Sequence, residues 1–123
     1  MSTRSLINVA CTDGKVRSIY VHFDGYAHLE TLEQHYNSQE QAELLVSLGD
    51  LSSLGERASP KMGENHSFDH PIEGVCVAYG RDRGEDDCAA AEFDSLKAAR
   101  KQDRGQEYIY EWDGKWSKLR ARS

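Results

Sequence analysis

A chain of 123 residues, 38% of them apolar, with a net charge of −6, is long enough for one domain with a single core and needs no metal or crosslink to hold it. No apolar run approaches the roughly 20 residues that cross a bilayer, and the start MSTRSLINVACTDG lacks the apolar core of a secretory signal, so a soluble cytoplasmic protein is expected. Three cysteines, Cys11, Cys76 and Cys88, form an odd set without CxxC spacing, which argues against a disulfide framework and a ribbon-type zinc site.

Ser5–Cys11 is a short apolar run, and Val16–Phe23 alternates, with Arg17, Ile19, Val21 and Phe23 on one face and Ser18, Tyr20 and His22 on the other. Asp13-Gly14 between them predicts a type I′ hairpin joining strands at 5–11 and 16–23, with Cys11 facing Val16 and Val9 facing Ser18. Asp24-Gly25 turns the chain off the sheet. From His28 on, Leu29, Leu32 and Tyr36 lay one apolar stripe along a first helix. Ser38 and Gln41 form a capping box for a second helix, with Leu44, Leu45 and Leu48 on one face and Gly49 at its end.

Residues 57–71 are polar, hold both prolines and show no period, so a long surface loop is expected within a single domain spanning 1–123. Ile72–Tyr79 reads as a buried central strand, Gly80–Asp87 as a charged turn, and Cys88–Phe93 as either helix or strand. Asp94 can cap a short helix over Ser95–Lys101. Glu107–Trp112 and Lys115–Arg120 flank Asp113-Gly114, a second type I′ signal. That register sets Trp112 opposite Lys115, gathers Tyr108, Tyr110 and Trp112 on one face, and puts Trp116 on the other, opposite Glu111. The fold class predicted is α+β, two-layer, with an antiparallel sheet of about five strands and helices packed mainly on one face.

Charge is unevenly spread. Lys and Arg against Asp and Glu number 4 to 8 in residues 1–60, 3 to 9 in 61–95, and 8 to 4 in 96–123. Overall acidity disfavours a dedicated nucleic-acid binder, whereas an acidic face would suit a partner's basic groove. His66 and His70 with Cys76 or Cys88 could supply metal ligands, but no second close pair accompanies them, so no metal and no cofactor are expected. No catalytic signature surrounds a cysteine near His22 or His35, and Asp82, Glu85, Asp86 and Asp87 beside Arg81 and Arg83 read as a solvated turn with local ion pairs. No enzymatic activity is expected, and no catalytic residue stands out. Among the aromatics, Trp116 on the outer face would be the natural anchor for a protein partner.

The segments VRSIYVHFDGY, HYNSQEQAELLVSLGDLSSLGE, YGRDRGEDD, FDSL and QEYIYEWDGKW, spanning Gly14 to Trp116, together resemble small hypothetical proteins encoded by bacteriophages and prophages. The resemblance carries no catalytic motif. It implies a phage accessory protein, similar in kind to inhibitors of host defence such as the anti-CRISPR proteins, acting in the bacterial host cytoplasm on a host protein such as a CRISPR effector subunit. Asp82, Glu85, Asp86, Asp87 and Trp116 are then the expected partner-binding residues. Two alternatives stand beside it: a phage regulatory or nucleic-acid-binding accessory protein using the basic Lys115, Lys118, Arg120 and Arg122, and a small enzyme or ligand-binding domain.

Overall fold

The computed structural model describes residues 3–60 and 63–121. Its strands are β1 (Ser5–Ala10), β2 (Val16–Val21), β3 (Leu51–Ser53), β4 (Val77–Ala78), β5 (Ala91–Phe93), β6 (Tyr108–Trp112) and β7 (Trp116–Arg120). Its helices are α1 (His28–His35), α2 (Gln39–Ser47), α3 (Tyr79–Arg83) and α4 (Leu96–Arg100), with a 3-10 turn at Gly25–Ala27 before α1. The chain is mixed α and β, but among the described residues the sheet has seven strands and is itself mixed, correcting the expected antiparallel five. Its order is β4-β3-β2-β1-β6-β7, with β5 also pairing β2. The hairpins β1–β2 and β6–β7 are antiparallel, while β1 and β6, and β2 and β3, run parallel.

Both Asp-Gly hairpins form, yet each has a three-residue connection. At the first, Cys11 N donates to Lys15 O at 2.8 Å and Gly14 N to Cys11 O at 3.2 Å, a type I turn followed by left-handed Gly14 at φ 85°. Asp13 does not take positive φ; its carboxylate accepts from Lys15 N at 2.9 Å, which favours the type I geometry. Val9 therefore faces Arg17 rather than Ser18. The second connection, residues 113–115 with Gly114 at φ 83°, sets Trp112 opposite Trp116. A slip of one residue sends each side chain of the return strand to the other face. Trp116 accordingly lies on the same face as Tyr110 and Trp112, not on the outer side, and is 5% exposed.

The main core lies between that face and the first two helices, with Ile7, Val9, Ile19, Val21, Leu51, Tyr110, Trp112 and Trp116 against Leu32, Tyr36, Ala42, Leu45 and Val46. The stripe on α1 is the one expected, with His28 added to it. On α2, Ser38 Oγ accepts from Gln41 N at 3.1 Å, but the buried residues are Ala42, Leu45 and Val46, and Leu44 is exposed. The expected central strand 72–79 is reduced to β4 at the sheet's edge, the expected charged turn opens with α3, and of Cys88–Phe93 only Ala91–Phe93 is regular, as the strand β5. The cap of α4 is Ser95, not Asp94, with Ser95 Oγ accepting from Ala98 N at 3.1 Å.

A second, smaller layer covers the other face, so the helices are not confined to one side. Ala99 of α4 is buried there with Leu6, Val16 and Ile109. The layer also carries a polar network. Arg100 donates to Glu111 from Nε at 2.7 Å and Nη2 at 2.6 Å, Asn8 Nδ2 lies 3.3 Å from Glu111 Oε2, and Gln102 Nε2 donates to Ser18 Oγ at 2.8 Å.

His28, 4% exposed, packs against Tyr110, whose hydroxyl donates to Gly25 O, and its ring Nε2 has no hydrogen-bond partner. Burial lowers its pKa from 6.5 to about 4, despite opposing contributions from the Phe23 carbonyl and Asp24. Below pH 6.5 the unfolded chain protonates this imidazole before the folded chain does. The stability it contributes is therefore whole above 6.5 and falls by about 3 kcal/mol as pH drops to about 4. Between pH 6.5 and about 4 the wild type should lose about that much stability relative to His28→Phe in urea denaturation; parallel curves would contradict the assignment.

Candidate functional site

The residues singled out from sequence sort into two groups. Asp82 is structural. Its side chain is 5% exposed, and its Oδ2 accepts from Ala78 N at 2.8 Å, His66 Nε2 at 3.0 Å and Arg81 Nη2 at 3.0 Å. Ile72 N donates to His66 Nδ1 at 3.0 Å, which places the ring proton on Nε2, where it is donated to Asp82. Burial raises the Asp82 pKa, but the Arg81 guanidinium, the Ala78 N–H and His66 outweigh it and hold the carboxyl below 3.8. Arg81 also donates to Ala58 O and Cys76 O, each at 2.6 Å, so this one cluster ties Ala58, His66 and Ile72 to α3.

Glu85, Asp86 and Asp87 are the second group, and all three are exposed. Gly84, at φ 75°, closes α3 with its N–H on Gly80 O at 3.0 Å, and Glu85 N reaches Tyr79 O at 3.2 Å. Asp87 sits at φ 59°, and Cys88 O then accepts from Asp50 N at 2.7 Å, pinning the turn at its far end. Of the local ion pairs expected, Arg81 pairs with its neighbour Asp82 at 2.8 Å, but neither arginine pairs with Glu85, Asp86 or Asp87 among the described residues. Arg81 turns inward to Asp82, and Arg83 lies over the Phe68 ring at 4.9 Å. Other exposed acids behave differently, since Asp13 and Glu92 pair with Arg17, and Asp94 with Lys15.

Trp116 is not a surface anchor: its indole N–H donates to Tyr36 O at 3.0 Å and its ring lies 5.4 Å from that of Trp112. Lys118 Nζ donates to Tyr26 O at 2.6 Å and lies over the Tyr108 ring, while Arg122 falls outside the described residues.

No group of three or more His, Cys, Asp and Glu converges as a metal site among the described residues. Cys76 is buried, with Gly55 N on its sulfur at 3.2 Å and Tyr36 Oη at 3.3 Å, and burial raises its thiol pKa. Cys88 is raised too, by burial and then by Glu85, Asp50 and Asp87, so neither carries the lowered pKa of an activated nucleophile. No helix among the described residues is long and apolar enough to cross a membrane.

The sequence places Glu111 on the face away from Tyr108, Tyr110 and Trp112 without showing that this face is covered; Glu111 is 3% exposed. A signal existed in Asn8 and Ser18, short polar residues at the alternate positions of strands otherwise apolar. In comparisons with known proteins, the chain matches no family model, no curated protein and no solved structure.

Proposed function

We propose that this chain is a binding protein without catalytic chemistry, which occupies a basic, nucleic-acid-contacting groove of a partner protein with the acidic turn Glu85–Asp87. The observation that carries the reading is that these three exposed carboxylates have no ion-pair partner among the described residues, although Arg81 and Arg83 lie on the helix just before them. A turn held at both ends keeps the three charges in place and lowers the ordering cost of binding. The resemblance to phage and prophage proteins supports a bacterial defence effector, such as a CRISPR effector subunit, as the target class and the host cytoplasm as the compartment. Asp82 supports this surface only from within the fold, and Trp116 is buried in the core at the β7 end of the sheet.

The test begins with capture from bacterial lysate, identifying bound proteins and nucleic acids, followed by association kinetics with the purified partner. Glu85→Gln/Asp86→Asn/Asp87→Asn should slow association by about tenfold at low salt and flatten its salt dependence, with thermal stability unchanged. An unchanged association rate would overturn the proposal. So would capture of nucleic acid alone that is lost on neutralising Lys115, Lys118 and Arg120.

A further inference from the structure

We propose that β7 is a docking edge for an extended segment of a partner protein in which acidic and apolar side chains alternate. This surface is independent of the acidic turn and lies at the other end of the sheet from β4, which leads into α3.

β7 pairs with β6 on one side only. Ala121 N donates to Glu107 O at 2.9 Å, and hydrogen-bonded pairs alternate along an antiparallel ladder, so Leu119 and Ser117 bond inward to β6. The N–H and C=O groups of Trp116, Lys118 and Arg120 point away from β6, and no main-chain partner meets them among the described residues. An edge lysine ordinarily deters further pairing by standing across the edge. Lys118 instead folds down onto the helix-covered face, held by Tyr26 O at 2.6 Å with its ammonium 4.6 Å from the Tyr108 ring centre. The edge is therefore left open.

An added strand would place alternate side chains on the two faces of the sheet. On one face they would meet Lys118 and Arg120, and Lys115–Arg120 contains no acid to offset them. On the other face they would lie beside Leu119, where a groove of about 820 Å³ opens over Ile109 and Leu119. Acidic side chains answer the first face and apolar ones the second. A second copy of this chain fits poorly, because centred antiparallel β7–β7 pairing sets Lys118 opposite Lys118, and like charges directly opposite destabilise a ladder. A nucleic acid would satisfy the charge but leave the outward main-chain groups and the groove unused.

The probe is a fluorescein-labelled peptide alternating glutamate and valine, compared with a peptide of the same composition in separate blocks and with a single-stranded oligonucleotide. The alternating peptide should bind most tightly, and amide hydrogen exchange should slow at Trp116, Lys118 and Arg120. Lys118→Glu/Arg120→Glu should weaken its binding about tenfold or more, through reversed cross-strand charge. Arg120→Pro, which removes an N–H that β6 does not use, should weaken it while the chain's other amide resonances stay dispersed. The proposal is overturned if those three amides exchange unchanged at saturating peptide, or if the block peptide or the oligonucleotide binds as tightly. Protection of the same amides without peptide, in a chain that sediments as a dimer, would also overturn it.

Discussion

Trp116→Ala is expected to lose about 3–5 kcal/mol of stability, the range for truncating a buried tryptophan in a packed core. Small domains are stable by only about 5–15 kcal/mol, so the variant should be partly unfolded at moderate temperature. Three losses combine: the indole's buried area, its packing against Trp112, and the hydrogen bond that leaves Tyr36 O without its indole donor. Urea denaturation followed by far-UV circular dichroism measures this directly. A tryptophan serving as an exposed anchor would shift stability by less than about 0.5 kcal/mol, and that result would return Trp116 to the surface.

Gly49→Ala should be nearly as damaging, by about 2–4 kcal/mol, since backbone strain and overpacking act together. Gly49 ends α2 at φ 79°, and an added Cβ would stand 2.2 Å from Cys88 O, a backbone atom that cannot rotate away. Cys88 O is also the acceptor for Asp50 N, so relief of the clash must move the end of the acidic turn. Gly84→Ala separates the two effects: Gly84 is also left-handed, at φ 75°, but an added Cβ there meets nothing within 4 Å. It should lose only about 1 kcal/mol. Equal losses at the two positions would show that the contact with Cys88 contributes nothing.

The acidic turn was legible in composition, but its character was not. GRDRGEDD reads as charges neutralising one another along the chain, and local ion pairing was the natural inference. One such pair forms, Arg81 with Asp82, but the fold also directs Arg81 to the carbonyls of Ala58 and Cys76 and lays Arg83 on Phe68, so that neither arginine pairs with Glu85, Asp86 or Asp87. The carbonyls of Ala58 and Cys76 and the ring of Phe68 orient the two guanidiniums away from Glu85, Asp86 and Asp87, and no pattern along the chain announces them.

The sequence alone determined the elements whose cause is local. Period-2 alternation placed β2 and β6, Ser38 and Gly49 bounded α2 through cap chemistry, and glycines 14 and 114 supplied the left-handed residue that both hairpins require. Tertiary structure decided whatever depends on one residue of register or on a distant partner. An Asp-Gly pair is compatible with both a two-residue and a three-residue connection, and Asp13 bonding Lys15 N selects the longer. In the second hairpin the one extra residue of the connection carries Trp116 from the outer face to the core. The parallel pairing of β1 with β6 rests on main-chain hydrogen bonds between residues about a hundred apart, which leave no period in either strand. For the same reason the covering of Glu111 was not legible: its burial is compensated by Arg100 and Asn8, and only the folded chain brings those charges and dipoles together.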